Sequence, residues 1–395
     1  MAVIVQKYGG TSVGDADRIR AVARRVARTR LAGNDVVVVV SAMGHTTDQF
    51  VELSRQVSPN DHPREMDMLL TAGERISMAL LAMAIRDLGV EAVSLTGSQA
   101  GIITNTVHGR AEIEDVRAFR VKEHLDKGDV VIVAGFQGVS GVSKEITTLG
   151  RGGSDATAVA MASYLQADAC EIYTDVDGVF TADPRVVPDA RKLGEVSFAE
   201  MAEMAAAGAA VLMLRSVDLA RRSGVPLHVR SSFHDGAGTW VREVTAGPAG
   251  LAGVAHDPAQ ALVGLSAGGD PAMVAEALAA AGVAADTVGT GPAGPGAAVP
   301  RDQAAAAVAA LAAGRGSGEV ILDEEVGKAS LVGAAVGSRP QVAADVAAAL
   351  EAAGIPVVLT ASTPLRVSCL VPVARLDEAV RVLHRLWFAQ RREAS

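Results

Sequence analysis

The stretch Met1-Ala-Val-Ile-Val-Gln-Lys-Tyr-Gly-Gly-Thr-Ser-Val-Gly14 opens the chain. Its apolar run Val3–Val5 reads as a buried strand. Lys7, the Gly9-Gly10 pair and the hydroxyls of Thr11 and Ser12 follow at once. Glycine lets backbone N–H groups come close to a phosphate, and a lysine adds the charge such a turn needs. The Gly-x-x-x-x-Gly-Lys-Ser/Thr spacing of a P-loop is absent. A lysine–glycine turn also serves as a plain strand-to-helix connection, so its meaning depends on what surrounds it.

What surrounds it is an alternation. Helix-like Ala16–Leu31 leads to strand-like Val36–Ser41 and then to helix-like Thr47–Gln56. Strand-like runs recur at Ala92–Leu95, Val130–Ala134 and Glu171–Thr174, with a helical stretch at Ala156–Leu165. Such alternation implies an α/β fold with a largely parallel sheet between helix layers. Ligands of such sheets bind at the carboxyl ends of strands. The glycine-rich and polar words of this chain follow its strands, so they should converge on one cleft.

Bulk properties narrow the classes. The chain has 395 residues, room for two or three domains. A net charge of −9 with 3% aromatic residues argues against nucleic-acid binding, which needs a basic surface. Two distant cysteines, Cys170 and Cys369, make neither a disulfide framework nor a zinc site, and point to a reducing cytoplasmic setting. No signal peptide is expected before the first strand. No apolar run reaches the ~20 residues of a membrane span. The eight histidines show no metal-like clustering.

Near Ala246-Gly-Pro-Ala-Gly250 the composition turns to small residues, a plausible boundary. Two weakly similar units follow. The second reads as strand Ala329–Val332, helix Gln341–Ala353, strand Pro356–Thr360, strand Leu365–Pro372 and helix Leu376–Leu386. The first opens with a strand from Leu262, a helix at Ala272–Ala281 and a short strand near Val283. It then dissolves into Gly289-Thr-Gly-Pro-Ala-Gly-Pro-Gly296, poor strand material, before a helix at Gln303–Leu311.

Taken whole, Lys7-Tyr-Gly-Gly-Thr-Ser-Val13 resembles the opening signature of the aspartokinases, in the amino-acid-kinase superfamily. The resemblance continues through Ser41-Ala-Met-Gly44, Thr71-Ala-Gly-Glu-Arg-Ile-Ser77, Gly135-Phe-Gln-Gly138, Thr147-Thr-Leu-Gly-Arg-Gly-Gly-Ser-Asp155 and Tyr173-Thr-Asp-Val-Asp-Gly-Val-Phe-Thr-Ala-Asp-Pro-Arg185. It implies an amino-acid-kinase domain over residues 1–247. Tandem βαββα-type ACT-like domains are implied over 262–325, the degenerate one, and 326–395. ACT domains of this family bind lysine or threonine and dimerise, so a homodimer or higher assembly is implied.

The family also implies roles. Lys7 and Asp155 are the catalytic pair, with Lys7 on the transferred phosphoryl group. Ser41, Thr47, Glu74, Arg151, Gly152 and Ser154 hold the substrate amino acid, L-aspartate or a relative. Glu74 takes its α-ammonium, and Arg151 forks onto its α-carboxylate, a contact that guanidinium geometry suits. Gly9, Gly10, Ser12, Thr174, Asp175, Phe180, Asp183 and Arg185 belong to the ATP side. Mg2+ accompanies ATP through phosphate oxygens and water, so no protein metal ligand is read. Plainer roles compete: Ser41 and Thr47 as helix caps, and Glu74 as a partner for Arg75.

Several positions depart from the family. A lysine in the helix after Ser-Phe-x-Glu-Met falls on Ala210, which removes a charge near the ATP phosphates. Loss of one such contact costs roughly 1–3 kcal/mol, and Arg185 or Arg215 could substitute. Phe180 replaces a tyrosine, and His45 an acidic residue. In the regulatory half, an aspartate falls on Ser266 within Gly264-Leu-Ser-Ala-Gly-Gly-Asp270, a glutamine near Thr290 and a glutamate on Pro364. These changes imply weak or absent lysine and threonine feedback. Two other readings stand beside aspartate kinase. One is a kinase of another amino-acid-like carboxylate, favoured by His45 and Met78. The other is a catalytically weak regulatory subunit, favoured by Ala210.

Overall fold

A computed structural model describes residues 1–244, 251–266, 270–314, 318–334 and 336–388. It divides into two compact units. The first comprises Met1–Val179, Gly194–Phe198 and Val211–Glu243, and the second Phe180–Leu193, Ala199–Ala210 and Val244–Ser395.

The first unit is built on an eight-stranded sheet. Six neighbouring strands run parallel, in the order Leu227–Ser231, Ala169–Thr174, Val3–Tyr8, Asp35–Val40, Val130–Ala134, Ala92–Leu95. Val36–Val40 and Val130–Ala134 are completely buried, as central parallel strands covered on both faces must be. Helices Ala16–Leu31 and Pro63–Arg86 cover one face, placing Ile19, Val22, Val26, Leu81 and Ile85 against Val36, Val38 and Ile132. Helix Gly153–Leu165 packs against strands Val3–Tyr8, Asp35–Val40 and Ala169–Thr174 and is buried along most of its length. The expected α/β alternation is therefore present.

Sequence periodicity missed a separate four-stranded sheet in this unit. It joins Ile113–Val116, Ile102–Thr104, Gln137–Ser140 and Ile146–Thr148. Strands of three or four residues are too short to show a period, and only tertiary pairing defines them.

The second unit has an eight-stranded antiparallel sheet. One half carries helices Pro271–Ala280 and Ala304–Ala313 over Val263, Leu265 and Val299. The other carries Pro340–Ala352 and Leu376–Phe388 over Leu331, Val367 and Val371. The halves join into one sheet where Thr290 pairs with Thr360. An ionic cluster with a buried lysine and a buried arginine also links them: Asp286 meets Lys328 Nζ at 2.7 Å and Arg366 at 3.0 Å. Burial pushes the Asp286 carboxyl up, but Lys328 and Arg366 outweigh it and hold it below the ordinary range.

Three expectations change here. Val283 is not a strand: it is a buried core residue whose amide closes the end of the preceding helix on Leu278. The Gly289–Gly296 stretch does not dissolve. It is a hairpin of strands Thr287–Gly291 and Gly294–Pro300 turning at Pro292-Ala293. Its glycines mark close backbone approach rather than weak strand: a Cβ on Gly289 would lie 2.7 Å from the Thr360 carbonyl oxygen, and one on Gly291 2.0 Å from that of Val358. The strand expected at Pro356–Thr360 is Leu359–Thr363, since Pro356 has no N–H to donate. Strands Leu251–Asp257 and Val320–Asp323 also join the sheet. The boundary expected at Ala246–Gly250 lies outside the described residues.

Gly291→Ala should therefore force two strands apart. Overpacking of this kind costs about 1–3 kcal/mol. Calorimetry should show a lower melting transition, and an unchanged midpoint would refute close approach as the reason for glycine.

Candidate active site

The residues after the parallel strands gather at one edge of the first unit. Gly10 carries the turn after Val3–Tyr8 against the turn after Asp35–Val40. The Gly10 carbonyl accepts from the Gly44 amide at 3.0 Å. A Cβ on Gly10 would meet the Ala42 carbonyl oxygen at 2.9 Å, so only glycine lets the two turns touch. Gly73 does the same from helix Pro63–Arg86: its Cβ would stand 2.7 Å from Ala42 Cβ. This contact brings Glu74 onto the turn, where Glu74 Oε1 accepts from the Ala42 amide at 3.1 Å.

The two other key groups meet across the sheet edge. Lys7 Nζ lies 2.6 Å from Asp155 Oδ1, and both side chains are about nine-tenths buried. A Cβ on Gly9 would lie 3.7 Å from Lys7 Nζ, which sets the ammonium beside the glycine turn. Asp155 sits in the first turn of helix Gly153–Leu165, where backbone N–H groups favour an anion. That helix starts at Gly152 in the left-handed region, φ +69°, and a Cβ there would strike Met213 at 2.1 Å. Ser154 Oγ and Ser41 Oγ are 2.8 Å apart, and Ser77 Oγ donates to the Ser41 carbonyl at 2.7 Å. Glu74, Ser41, Ser154, Asp155 and Lys7 thus form a chain of contacts or adjacent residues.

Glu74 is 3% exposed, and its Oε2 is buried without a hydrogen-bond partner among the described residues. Burial pushes its carboxyl up to about 7, against the opposing pull of the Ala42 amide. It is not paired with Arg75, so that alternative fails. Arg151 is exposed at the turn before Gly152 and has no side-chain hydrogen bond or ion pair among the described residues. A guanidinium so placed is open to an anionic ligand.

The remaining expected residues differ in how they are held. Ser12 is buried, and its Oγ has no partner among the described residues. The Gly9 amide is already committed, donating to the Tyr173 carbonyl at 3.3 Å, and so is not the open donor expected. Ser41 and Thr47 do not cap the next helix, whose N-cap is His45 without a capping bond. Thr47 lies half-buried in its first turn. Thr174 Oγ1 donates to Asp175 Oδ1 at 3.2 Å at the carboxyl end of its strand. Tyr8 and Tyr173 stack 4.7 Å apart beneath these ends.

Phe180, Asp183 and Arg185 belong to the second unit. There Asp183 binds the Arg185 guanidinium at 2.7–3.1 Å, and this bond holds the Asp183 carboxyl below its ordinary range. Ala210 does not lie in a helix. The helix ends at Ala206, and Gly208 follows with φ +113°. A Cβ there would lie 2.3 Å from the His256 carbonyl oxygen, so only glycine lets the two backbones come this close. Arg215 is engaged with the Ala111 carbonyl at 3.4 Å.

Asp67 escaped the sequence reading. It is completely buried and accepts from Thr148 Oγ1 and the Gly109 amide, with His108 Nδ1 at 2.6 Å. It stands at i, i+4, i+7 with Thr71 and Glu74, one helix face that periodicity could have flagged. Phe136, in Gly135-Phe-Gln-Gly138, has φ +68°, a strained value typical of sites. Among the described residues no group of three His, Cys, Asp or Glu side chains could hold a metal.

Comparison with known proteins gives the family. A family model described as "Amino acid kinase family" matches residues 2–231, and one described as "ACT domain" matches 330–386. The aspartokinase of Mycolicibacterium smegmatis is 54% identical over 402 residues, covering 97% of this chain and 96% of that protein. The aspartokinase of Corynebacterium glutamicum is 50% identical with the same coverage. The crystal structure of E. coli aspartokinase III in complex with aspartate and ADP superposes with a TM-score of 0.82 at 28% identity, covering 98% of this chain and all of that one.

Glu74 makes stability pH-dependent. Its folded pKa lies above its unfolded value, so the native state binds more protons between the two, and stability falls as pH rises through that window. The stability of Glu74→Gln relative to the parent should therefore increase between pH 5 and pH 8 in thermal melts. A difference that does not change with pH would contradict the buried, partnerless carboxyl.

Proposed function

The chain belongs to the aspartokinases, within the amino acid kinase family, and on that premise we propose that it transfers the γ-phosphoryl group of ATP to the side-chain carboxylate of L-aspartate. One observation carries the reading: Glu74 is a buried carboxylate with one oxygen uncommitted, on the turn that the Ser41–Ser154 contact joins to the Lys7–Asp155 pair, with Arg151 open just before the same helix. A buried carboxylate of this kind suits a cation brought by the substrate. The α-ammonium of an amino acid supplies one, and Arg151 would take the α-carboxylate in a bidentate contact. The side-chain carboxylate is then directed toward Lys7.

Phosphoryl transfer asks little covalent chemistry of the protein. It asks for positioning and for charge opposite the equatorial phosphoryl oxygens. Lys7 Nζ, fixed by Asp155 and set beside Gly9, offers that charge. The first turn of helix Gly153–Leu165 adds oriented N–H groups. Thr174 and Asp175 would hold the nucleoside. Mg2+ would neutralise the β- and γ-phosphates when bound with ATP.

Weak or absent feedback by lysine and threonine belongs to the same reading. Ser266 accepts from the Glu319 amide through its hydroxyl and donates its own amide to the Glu319 carbonyl, so both groups are engaged just beyond the strand ends. Thr290 lies in the pairing with Thr360, and the Pro364 carbonyl accepts from Gly337. None of these side chains offers a carboxylate to an effector ammonium. A cytoplasmic homodimer or higher assembly through the ACT-like halves completes the proposal. The other-acid reading loses support, because Met78 packs in the core and His45 is exposed beside Asp48.

Purified protein with Mg-ATP, L-aspartate and hydroxylamine should yield aspartyl hydroxamate, and added lysine and threonine should leave the yield unchanged. Protein that binds Mg-ATP yet yields none would overturn the choice of acceptor.

Because Glu74 must be ionised to hold an ammonium, KM for aspartate should fall as pH rises through about 7. Arg151→Ala should raise that KM roughly 10- to 100-fold, the equivalent of about 1.5–3 kcal/mol for a charged contact. Lys7→Met should lower kcat instead. Ala210→Lys should lower KM for ATP if the family lysine is missed. Steady-state kinetics checks all four, and a KM for aspartate indifferent to Arg151 would remove its assigned role.

A further inference from the structure

Glu74 shares one face of its helix with two other buried polar residues. Asp67, Thr71 and Glu74 stand at i, i+4 and i+7 on helix Pro63–Arg86, spread over about 10 Å of its axis at 1.5 Å per residue. Asp67 is completely buried and Thr71 nearly so. A carboxylate taken wholly out of water must be met by donors. Those of Asp67 come from two other segments: Thr148 Oγ1 donates to Oδ1, the Gly109 amide donates at 3.1 Å, and His108 Nδ1 lies 2.6 Å from Oδ2. Both segments frame one turn. Thr148 ends strand Ile146–Thr148, and Leu149-Gly150-Arg151 follow at once, before helix Gly153–Leu165. The Ala111 amide donates to the Thr148 carbonyl at 2.9 Å. Gly150 takes φ +74°, and a Cβ there would stand 3.1 Å from the Gly109 carbonyl oxygen, so the Gly109 loop packs directly on the turn. Thr71 reaches the same turn by another route. Its carbonyl accepts from Gln137 Nε2 at 3.2 Å, and the carbonyl of the adjacent Phe136 accepts from the Leu149 amide at 2.9 Å. The backbone that carries Arg151 is thus tied twice to helix Pro63–Arg86, while the guanidinium itself makes no hydrogen bond or ion pair among the described residues.

We propose that Asp67 is a positioning residue for the acceptor amino acid. Together with Thr71 it fixes the Arg151 turn against the helix that carries Glu74, and so sets the separation between the group that takes the α-carboxylate and the group that takes the α-ammonium. This rests on the roles given to Arg151 and Glu74 under the proposed function. Its physical content is a spacing. An α-amino acid presents both charged groups on one carbon, so their two receptors must be held at a fixed separation to be met together. A loose Arg151 turn would lose part of its contact to the ordering that binding then requires. One rigid helix that holds Glu74 directly, and the Arg151 turn through Asp67, removes that cost in advance. An apolar residue at position 67 would avoid burying a charge. It would also leave Thr148, Gly109 and His108 without their acceptor and free the turn.

The test is steady-state kinetics of the full chain with Mg-ATP and L-aspartate. Asp67→Asn keeps the shape but puts a donor where donors already converge. It should raise KM for aspartate about 10-fold, with kcat at saturating aspartate and KM for ATP near the parent's. The double variant Asp67→Asn with Arg151→Ala should show the KM of Arg151→Ala alone, because Asp67 acts through that guanidinium. Thr148→Val, close in shape, removes one donor and should raise the same KM by less; it carries the test if Asp67→Asn does not fold. A parental KM for aspartate in the folded variants, beside a raised one in Arg151→Ala, overturns the role of Asp67 and leaves that of Arg151 standing. Effects that add in the double variant, as a merely structural carboxylate would give, overturn it as well. A KM indifferent to Arg151→Ala removes both roles.

Discussion

The buried ion pair between Lys7 and Asp155 constrains the arrangement of the site. A lysine taken out of water without a counter-charge is costly, and so is an unpaired aspartate. Both are relieved only when the first turn of helix Gly153–Leu165 sits over the end of strand Val3–Tyr8. That seating puts Ser154 on Ser41 and therefore joins the helix to the turn after Asp35–Val40. Glycine permits the rest: Gly10 and Gly73 let three backbone segments meet at Ala42, which delivers Glu74.

The consequence is a site whose polar groups are unequally satisfied. Asp67 has every oxygen engaged and serves to position Thr148 and the Gly109 turn. Glu74, a helix turn or two away on the same face, keeps one oxygen without a partner and has its pKa raised by burial. Arg151 stands open. Fully satisfied groups hold shape, while incompletely satisfied ones invite a ligand. The difference between Asp67 and Glu74 arises from what packs against each, since the residue types are nearly the same.

Much of the first unit was legible. Helix Ala16–Leu31 and strands Ala92–Leu95 and Val130–Ala134 fall where periodicity places them, because long apolar runs and amphipathic repeats carry a strong local signal. The site words were legible through their resemblance to a family, and the structure brings Lys7, Asp155, Glu74, Ser41 and Ser154 together. The short strands around Ile103 and Ile146 were not legible, for they exist through pairing alone. Gly289–Gly296 misled because glycine lowers strand propensity in isolation, yet here it makes room for neighbouring carbonyls. The Gly9 amide is taken by the Tyr173 carbonyl, a partner more than 160 residues away that no local pattern reveals.

By itself the sequence determined the element types, the alternation that demands a parallel sheet, and the set of charged and glycine-rich turns that follow its strands. Those are local properties of hydrophobic period and backbone freedom. Only the tertiary structure decided which charges are paired and which carboxylate is left with an open oxygen. These depend on desolvation and on distances between residues far apart in the chain, and no local pattern of residues encodes them.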